Sequence, residues 1–174
     1  ALTEAGMLGI ALPEEFGGGG KGLLELAIAV EGVAEGGGGM EAGSLFLAGP
    51  VFGGCLLDRH GTQAQKEAYL PGLASGQMCA GAFTEPESGS NITSIKTRAE
   101  LHGDRWVING QKVFISLVQR SQRIVVMART QAYDPEKRTR GISLLLGELP
   151  SEAVRTAPFK KLGNHFMDTN RVYF

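Results

Sequence analysis

The segment Thr84-Glu85-Pro86-Glu87-Ser88-Gly89-Ser90 places three hydroxyls and two carboxylates around a turn-forming proline and a glycine. Proline fixes φ and removes a backbone donor, so the extended run from Cys79 ends at Glu85-Pro86 and a turn follows. Gly89 lets the backbone come close to a ligand, and the neighbouring hydroxyls and amides suit an anionic or carbonyl-rich partner. About thirty residues later Lys112-Val113-Phe114-Ile115-Ser116 answers it with an aromatic and a further hydroxyl. Taken alone, the first segment reads first as an ordinary polar loop between strands.

Other candidate chemistry is weaker. Gly17-Gly18-Gly19-Gly20-Lys21-Gly22 satisfies the spacing of a dinucleotide fingerprint, but no strand precedes it. It also fails the phosphate-loop pattern, because Gly22 stands where a Ser or Thr should follow the lysine. A connector between helices is the better reading. His60, His102 and His165 are scattered and pair with no Ser or Cys elbow, which marks them as solvated or capping residues. Cys55 and Cys79 have no second Cys or His at ligand spacing, so both read as small buried hydrophobes and no metal site is expected.

The elements that must position the loop change character at about Met78. Before it, Leu23, Leu24, Leu26, Ala27, Val30 and Val33 predict a helix over 22–35 with a broad apolar face. The apolar stretch 43–59 predicts a second helix, kinked or broken at Pro50 and Gly53-Gly54. Thr62-Gln63-Ala64-Gln65 matches a capping box for a helix running to about Tyr69, and Pro71 starts a further short turn ending at Gly76. The chain opens, by the same periodicity, inside a helix at Ala1-Leu2-Thr3-Glu4 and stops inside a strand at Val172-Tyr173-Phe174, which predicts a fragment. After Met78, residues 79–84, 96–101, 105–109, 112–116, 123–130 and 141–146 read as short strands. Asn109-Gly110 predicts a type I′ hairpin joining two of them, and Tyr133 to Arg140 an exposed loop. The fold class is therefore α+β: a partial helical domain over 1–77 and a small antiparallel β-barrel or sandwich over 78–174.

Composition narrows the partners. Seventeen basic against eighteen acidic residues give a net charge of −1, with no basic patch to draw nucleic acid or an anionic membrane. The apolar stretches are broken by Gly, Pro or charge short of a membrane-spanning length, so no transmembrane segment is expected. No signal peptide opens the chain, and a cytoplasmic or matrix-like compartment is the expectation.

Thr84 to Ser90, together with Gly103-Asp104-Arg105-Trp106-Val107-Ile108-Asn109-Gly110-Gln111-Lys112-Val113-Phe114-Ile115-Ser116, resembles the flavin-binding middle segment of the acyl-CoA dehydrogenase family. The resemblance extends through Leu12-Pro13-Glu14-Glu15-Phe16-Gly17-Gly18, Tyr69 to Gly76, Ala128-Arg129-Thr130, Lys161-Leu162-Gly163 and Asp168-Thr169. It implies that FAD is lined by Gly81, Ala82, Phe83, Thr84, Glu85, Gly89 and Ser90 and by Phe114, Ile115 and Ser116. Phe114 would lie against the isoalloxazine ring, Ser116 would bond the N5 region, and Thr84 the pyrimidine edge. Ser90 would meet FAD phosphate or the CoA arm of the substrate. The implied reaction is α,β-dehydrogenation of a fatty acyl-CoA with hydride transfer to flavin N5, in a homo-oligomer served by an electron-transfer flavoprotein. The family's catalytic Glu lies in a C-terminal helical domain with no counterpart here. Neither Glu85 nor Glu87 is assigned as a base, and the 174 residues alone are expected to be inactive. The chain departs from the pattern at Asn91 for Asp, Leu117 for Asn and His165 for Arg, and at Val118-Gln119-Arg120 in place of the usual Gly-rich follow-on. An oxidase or monooxygenase on the same scaffold, or a non-catalytic ligand-binding module, are the alternatives.

Overall fold

The computed structural model describes residues 2–174. Leu2 to Gly6 form turns and Met7–Gly9 a single 3₁₀ turn, so the expected opening helix is replaced by tighter structure; Ala1 lies outside the described residues. Helix α1 (Leu23–Val33) starts where the Gly22 amide donates to Glu25 Oε2 at 2.9 Å. It buries Leu26 and Ala29 and leaves Leu23, Leu24 and Ile28 exposed, a narrower inward stripe than the sequence implies. After a wide turn over Ala34–Gly38, in which Gly37 takes φ 99°, α2 (Gly39–Phe46) begins.

Where a kink or break is expected, at Pro50 and Gly53-Gly54, the helical backbone is irregular but not interrupted. The backbone widens into π-helical turns over Leu47–Cys55 and continues into α3 (Leu56–His60). Loosening the spiral lets a proline be carried without ending the helix. By length and composition alone, Leu23–His60 would be enough to cross a membrane, which differs from the sequence expectation. Its inward residues Leu26, Ala29, Phe46, Ala48 and Leu57 are buried within the protein. Helix α4 (Gln63–Ala74) carries the expected capping box: the Gln65 amide donates to Thr62 Oγ1 and the Thr62 amide to Gln65 Oε1. It runs through Pro71 as one helix rather than two, and Gly76 follows with φ 100°.

The second half holds eight strands: β1 (Cys79–Ala82), β2 (Arg98–His102), β3 (Arg105–Asn109), β4 (Gln111–Ser116), β5 (Arg123–Arg129), β6 (Ile142–Glu148), β7 (Arg155–Pro158) and β8 (Thr169–Tyr173). They form two sheets, one with β1, β5, β2 and β3 in order and β6 also paired to β5, the other with the order β4-β8-β7. Against the expected antiparallel arrangement, β5 pairs in parallel with β1, from Cys79↔Arg123 to Ala82↔Val126, and with β2 at Arg98↔Arg129. The expected Asn109-Gly110 hairpin is also overturned. β3 pairs with β2 across the two-residue turn at Gly103-Asp104, where Gly103 takes the positive φ that a primed turn needs at its first central position. β4 joins the other sheet, and Gly110 exchanges backbone hydrogen bonds with Phe174.

Ala80, Ala82, Ile115, Val118, Ile124, Val126 and Val172 fill the space between the sheets. A separate cluster joins Leu12, Leu57, Leu70 and Leu73 of the helical half to Cys79 and Val125. Burial pushes the Cys79 thiol up to about 12, which keeps it neutral and inert. The buried Arg129 guanidinium donates to the carbonyls of Ile95, Thr93, Arg138 and Arg140, clasping the exposed loop after β5 to the segment before β2.

Candidate functional site

Phe83 and Thr84 leave the end of β1, and each is fastened to β4 through its carbonyl. The Val113 amide donates to Thr84 O at 2.9 Å, and the Lys112 ammonium donates to Phe83 O at 2.9 Å. The same ammonium donates to Glu85 Oε1 at 2.9 Å, and neither side chain is more than 5% exposed. The amide of Thr97 donates to Glu85 Oε1 and that of Lys96 to Oε2. Burial raises the Glu85 carboxyl, yet the hydrogen bonds from Thr97, Lys112 and Lys96 outweigh it and hold it below the usual carboxylate range. Burial lowers the Lys112 ammonium against the upward pull of Glu85. The loop is closed on itself by paired backbone bonds between Glu85 and Ser88, and by Ser88 Oγ donating to Asn91 O.

Of Glu85, only the backbone is left to face a ligand. Its carboxylate turns inward and is filled by Lys112 and two amides, so its work is to hold the loop. The side chains of Ala82 and Ile115 also point into the core, which leaves only their backbone to face a ligand. Phe83 packs edge-on against Phe52 at 6.1 Å, and a Cβ on Gly81 would press on both rings at 3.2–3.3 Å. Gly81 and Phe83 thus join the loop to the helical half through Phe52, a residue the sequence did not single out.

The other expected residues, Thr84, Gly89, Ser90, Phe114 and Ser116, keep access to solvent and are taken together as the candidate ledge. A register shift between Lys112 and Ile115 bulges β4, and Phe114 takes φ 60°, turning its ring outward to 65% exposure. Such backbone in a bulky residue is strained and persists where surrounding bonds over-determine it. Leu117, with φ 61°, ends the same strand, its amide donating to Asp168 O. Gly89 and Ser90 are exposed, and a Cβ on Gly89 would meet nothing within 4 Å. The hydroxyls of Thr84, Ser90 and Ser116 make no hydrogen bond among the described residues. An exposed aromatic face, free hydroxyls and an open glycine turn are groups that suit a large planar ligand with polar edges, which is the shape and polarity of a flavin. The ledge is open, and an apolar groove of about 730 Å³ between α1 and α2 lies apart from it.

The glycine-rich connector has no anion-binding role in this fold. The amides of Gly18, Gly19, Gly20 and Lys21 donate to the carbonyls of Pro13, Gly9, Leu12 and Ile10. His60, His102 and His165 are exposed, the last with its ring against Leu162 O. No cluster of metal-ligating side chains occurs among the described residues.

Comparison with known proteins matches two family models to consecutive parts of the chain. A family model for the acyl-CoA dehydrogenase N-terminal domain matches residues 1–77, and one for the acyl-CoA dehydrogenase middle domain matches residues 80–174. The chain is 39% identical over 151 residues to acyl-CoA dehydrogenase fadE12 of Mycobacterium tuberculosis (strain CDC 1551 / Oshkosh), covering 86% of this chain and 37% of that protein. An acyl-CoA dehydrogenase complexed with FAD from Bacillus anthracis superposes with a TM-score of 0.86 at 28% identity, over 99% of this chain and 28% of that one. The prolyl acyl carrier protein oxidase AnaB superposes with a TM-score of 0.88 at 27% identity, over 99% and 45%. The chain spans less than half the length of each.

Proposed function

The chain belongs to the acyl-CoA dehydrogenase family, and we propose that it forms the cofactor side of an FAD-dependent oxidoreductase that desaturates an acyl-CoA thioester between its α- and β-carbons. The observation that carries this reading is the strained, outward Phe114 beside the unpaired hydroxyls of Thr84 and Ser116. When bound, FAD supplies the acceptance of a hydride from the acyl β-carbon. Phe114 presents a stacking face, Thr84 and Ser116 present donors to the polar edge of the ring, and Ser90 presents a hydroxyl to a phosphate or to the CoA arm. The buried Glu85–Lys112 pair keeps Thr84 and Phe114 in fixed relation, so the ledge is formed before any ligand arrives.

No residue of this chain is assigned as the base. The α-proton is to be removed by a carboxylate from another part of the protein, and an electron-transfer flavoprotein is the proposed acceptor for a homo-oligomeric enzyme in a cytosolic or matrix-like compartment. The superposition on AnaB favours one second reading, an oxidase on the same scaffold. The test uses the full-length protein loaded with FAD. Bleaching of the flavin band by an acyl-CoA, with turnover that depends on an electron-transfer flavoprotein, is the expected result. Oxygen consumption without that acceptor would replace the dehydrogenase by the oxidase, and failure to take up FAD would reject both.

A further inference from the structure

Phe159, in the segment after β7, stacks on Phe114 with ring centroids 5.2 Å apart and an interplanar angle of 24°. Its amide donates to Thr169 O at 2.8 Å, which fixes its backbone to the first residue of β8. The excursion from Phe159 to Asp168 is itself gathered by the Lys161 ammonium, which donates to the carbonyls of Asn164 and Met167 and to Thr169 Oγ1. The Arg171 guanidinium lies 4.8 Å from the Phe159 ring centroid, and Arg171 pairs with no carboxylate among the described residues. Phe114, Phe159 and Arg171 thus form a ladder across the outer side of the second sheet, ending on the ring that the proposed function sets against the isoalloxazine.

From this ladder we infer that Phe159 is a positioning residue for the flavin, acting through Phe114, an inference that rests on the proposed function. Phe114 leaves its strand at a bulge with positive φ and an exposed ring, so neither β-sheet packing nor burial holds its side chain. The stack with Phe159 is the described contact that restricts the ring, and an offset aromatic pair held by a backbone hydrogen bond does so before the ligand binds. Arg171, over the Phe159 ring, secures the far end of the ladder by a cation–π contact. A solvent-facing aromatic pair with no link to the cofactor would stabilise the sheet edge and leave flavin properties untouched, and that difference is measurable.

The experiment titrates FAD into the full-length apoprotein, following flavin fluorescence, and records the visible circular dichroism of the bound flavin. F159L is expected to weaken FAD binding about three- to tenfold and to change the flavin's induced dichroism, while F159Y restores both. F114L serves as the reference for the function on which the inference rests. Weaker binding in F114L with wild-type affinity and dichroism in F159L would overturn the inference and leave the function standing. Wild-type behaviour in both variants would overturn the Phe114 assignment as well. Should F159L fail to fold by far-ultraviolet dichroism, F159W decides: a larger ring on Phe114 must shift the induced flavin dichroism, and an unchanged spectrum overturns the inference.

Discussion

Lys112 is buried to 0% exposure and charged, a combination that is tolerated because Glu85 Oε1 lies 2.9 Å away. Removing one member of such a pair leaves an uncompensated charge in the interior, at a cost of about 3–5 kcal/mol. K112M should therefore lower the free energy of unfolding by about that amount in urea titration of the full-length protein, and K112M/E85Q, which leaves no buried charge and keeps an amide oxygen to accept a backbone N–H, should recover part of the loss. The pair also sets an acid limit. The Glu85 carboxyl is held below its ordinary value in the folded protein, so the unfolded chain binds more protons in the acid range. Its contribution to stability is complete above the unfolded carboxyl pKa of about 4.3 and is lost as pH falls through the lower folded value. Melting temperature measured from pH 7 downward should fall more steeply for wild type than for E85Q. None of this was legible in the sequence. A lysine in a short strand ordinarily reads as solvent-facing, and its partner lies 27 positions earlier in a loop motif. Phe114 was legible as an aromatic of the motif, but its positive φ and outward turn depend on a bulge that only the pairing with β8 creates.

At the scale of elements, glycines placed for close approach explain two of the differences between expectation and structure. Gly53 and Gly54 looked like helix breakers, yet they sit in continuous helical backbone pressed against neighbours. A Cβ on Gly53 would lie 2.6 Å from the Cys79 Cβ and 3.1 Å from Leu73 Cδ1, and one on Gly54 would lie 2.4 Å from Leu12 Cδ2. Their absence of side chain seats the helical run on β1. G53A should destabilise the protein by about 1–3 kcal/mol through overpacking, read as a drop in melting temperature. G36A, at a position where a Cβ meets nothing within 4 Å, should be neutral or raise it. The same cause misled the reading of Asn109-Gly110. A Cβ on Gly110 would lie 2.4 Å from Thr97 Oγ1, so this glycine answers to crowding at the crossing between sheets rather than to a hairpin. Strand positions themselves were readable because β-branched residues cluster between turn signals. β7 was not, because Arg155-Thr156-Ala157-Pro158 carries no apolar alternation and gains its place by pairing with β8.

For the whole molecule, β5 is the strand through which the helical half and the second sheet communicate. Its Ile124 and Val126 pack among Ala80, Ile115 and Val172 between the sheets, while Val125, facing the other way, packs among Leu12, Leu70 and Leu73. The uninterrupted apolar run Ile124 to Ala128 is what a strand buried on both faces requires, and together with β1, which gives Cys79 to one cluster and Ala80 and Ala82 to the other, it separates the two cores. The candidate ledge hangs from this arrangement at one remove. Thr84 follows β1, which pairs with β5, and Phe114 lies on β4, which packs over it. V125A and V126A delete the same two methyl groups from opposite faces and should each cost about 2 kcal/mol. Their local consequences should differ, because amides exchange through the elements whose packing is weakened. Hydrogen exchange of the full-length protein should rise in α4 for V125A and in β4 and β8 for V126A, and only V126A should loosen FAD binding. Identical exchange patterns in the two variants would mean that the molecule opens as one cooperative unit, with β5 dividing its packing but not its stability.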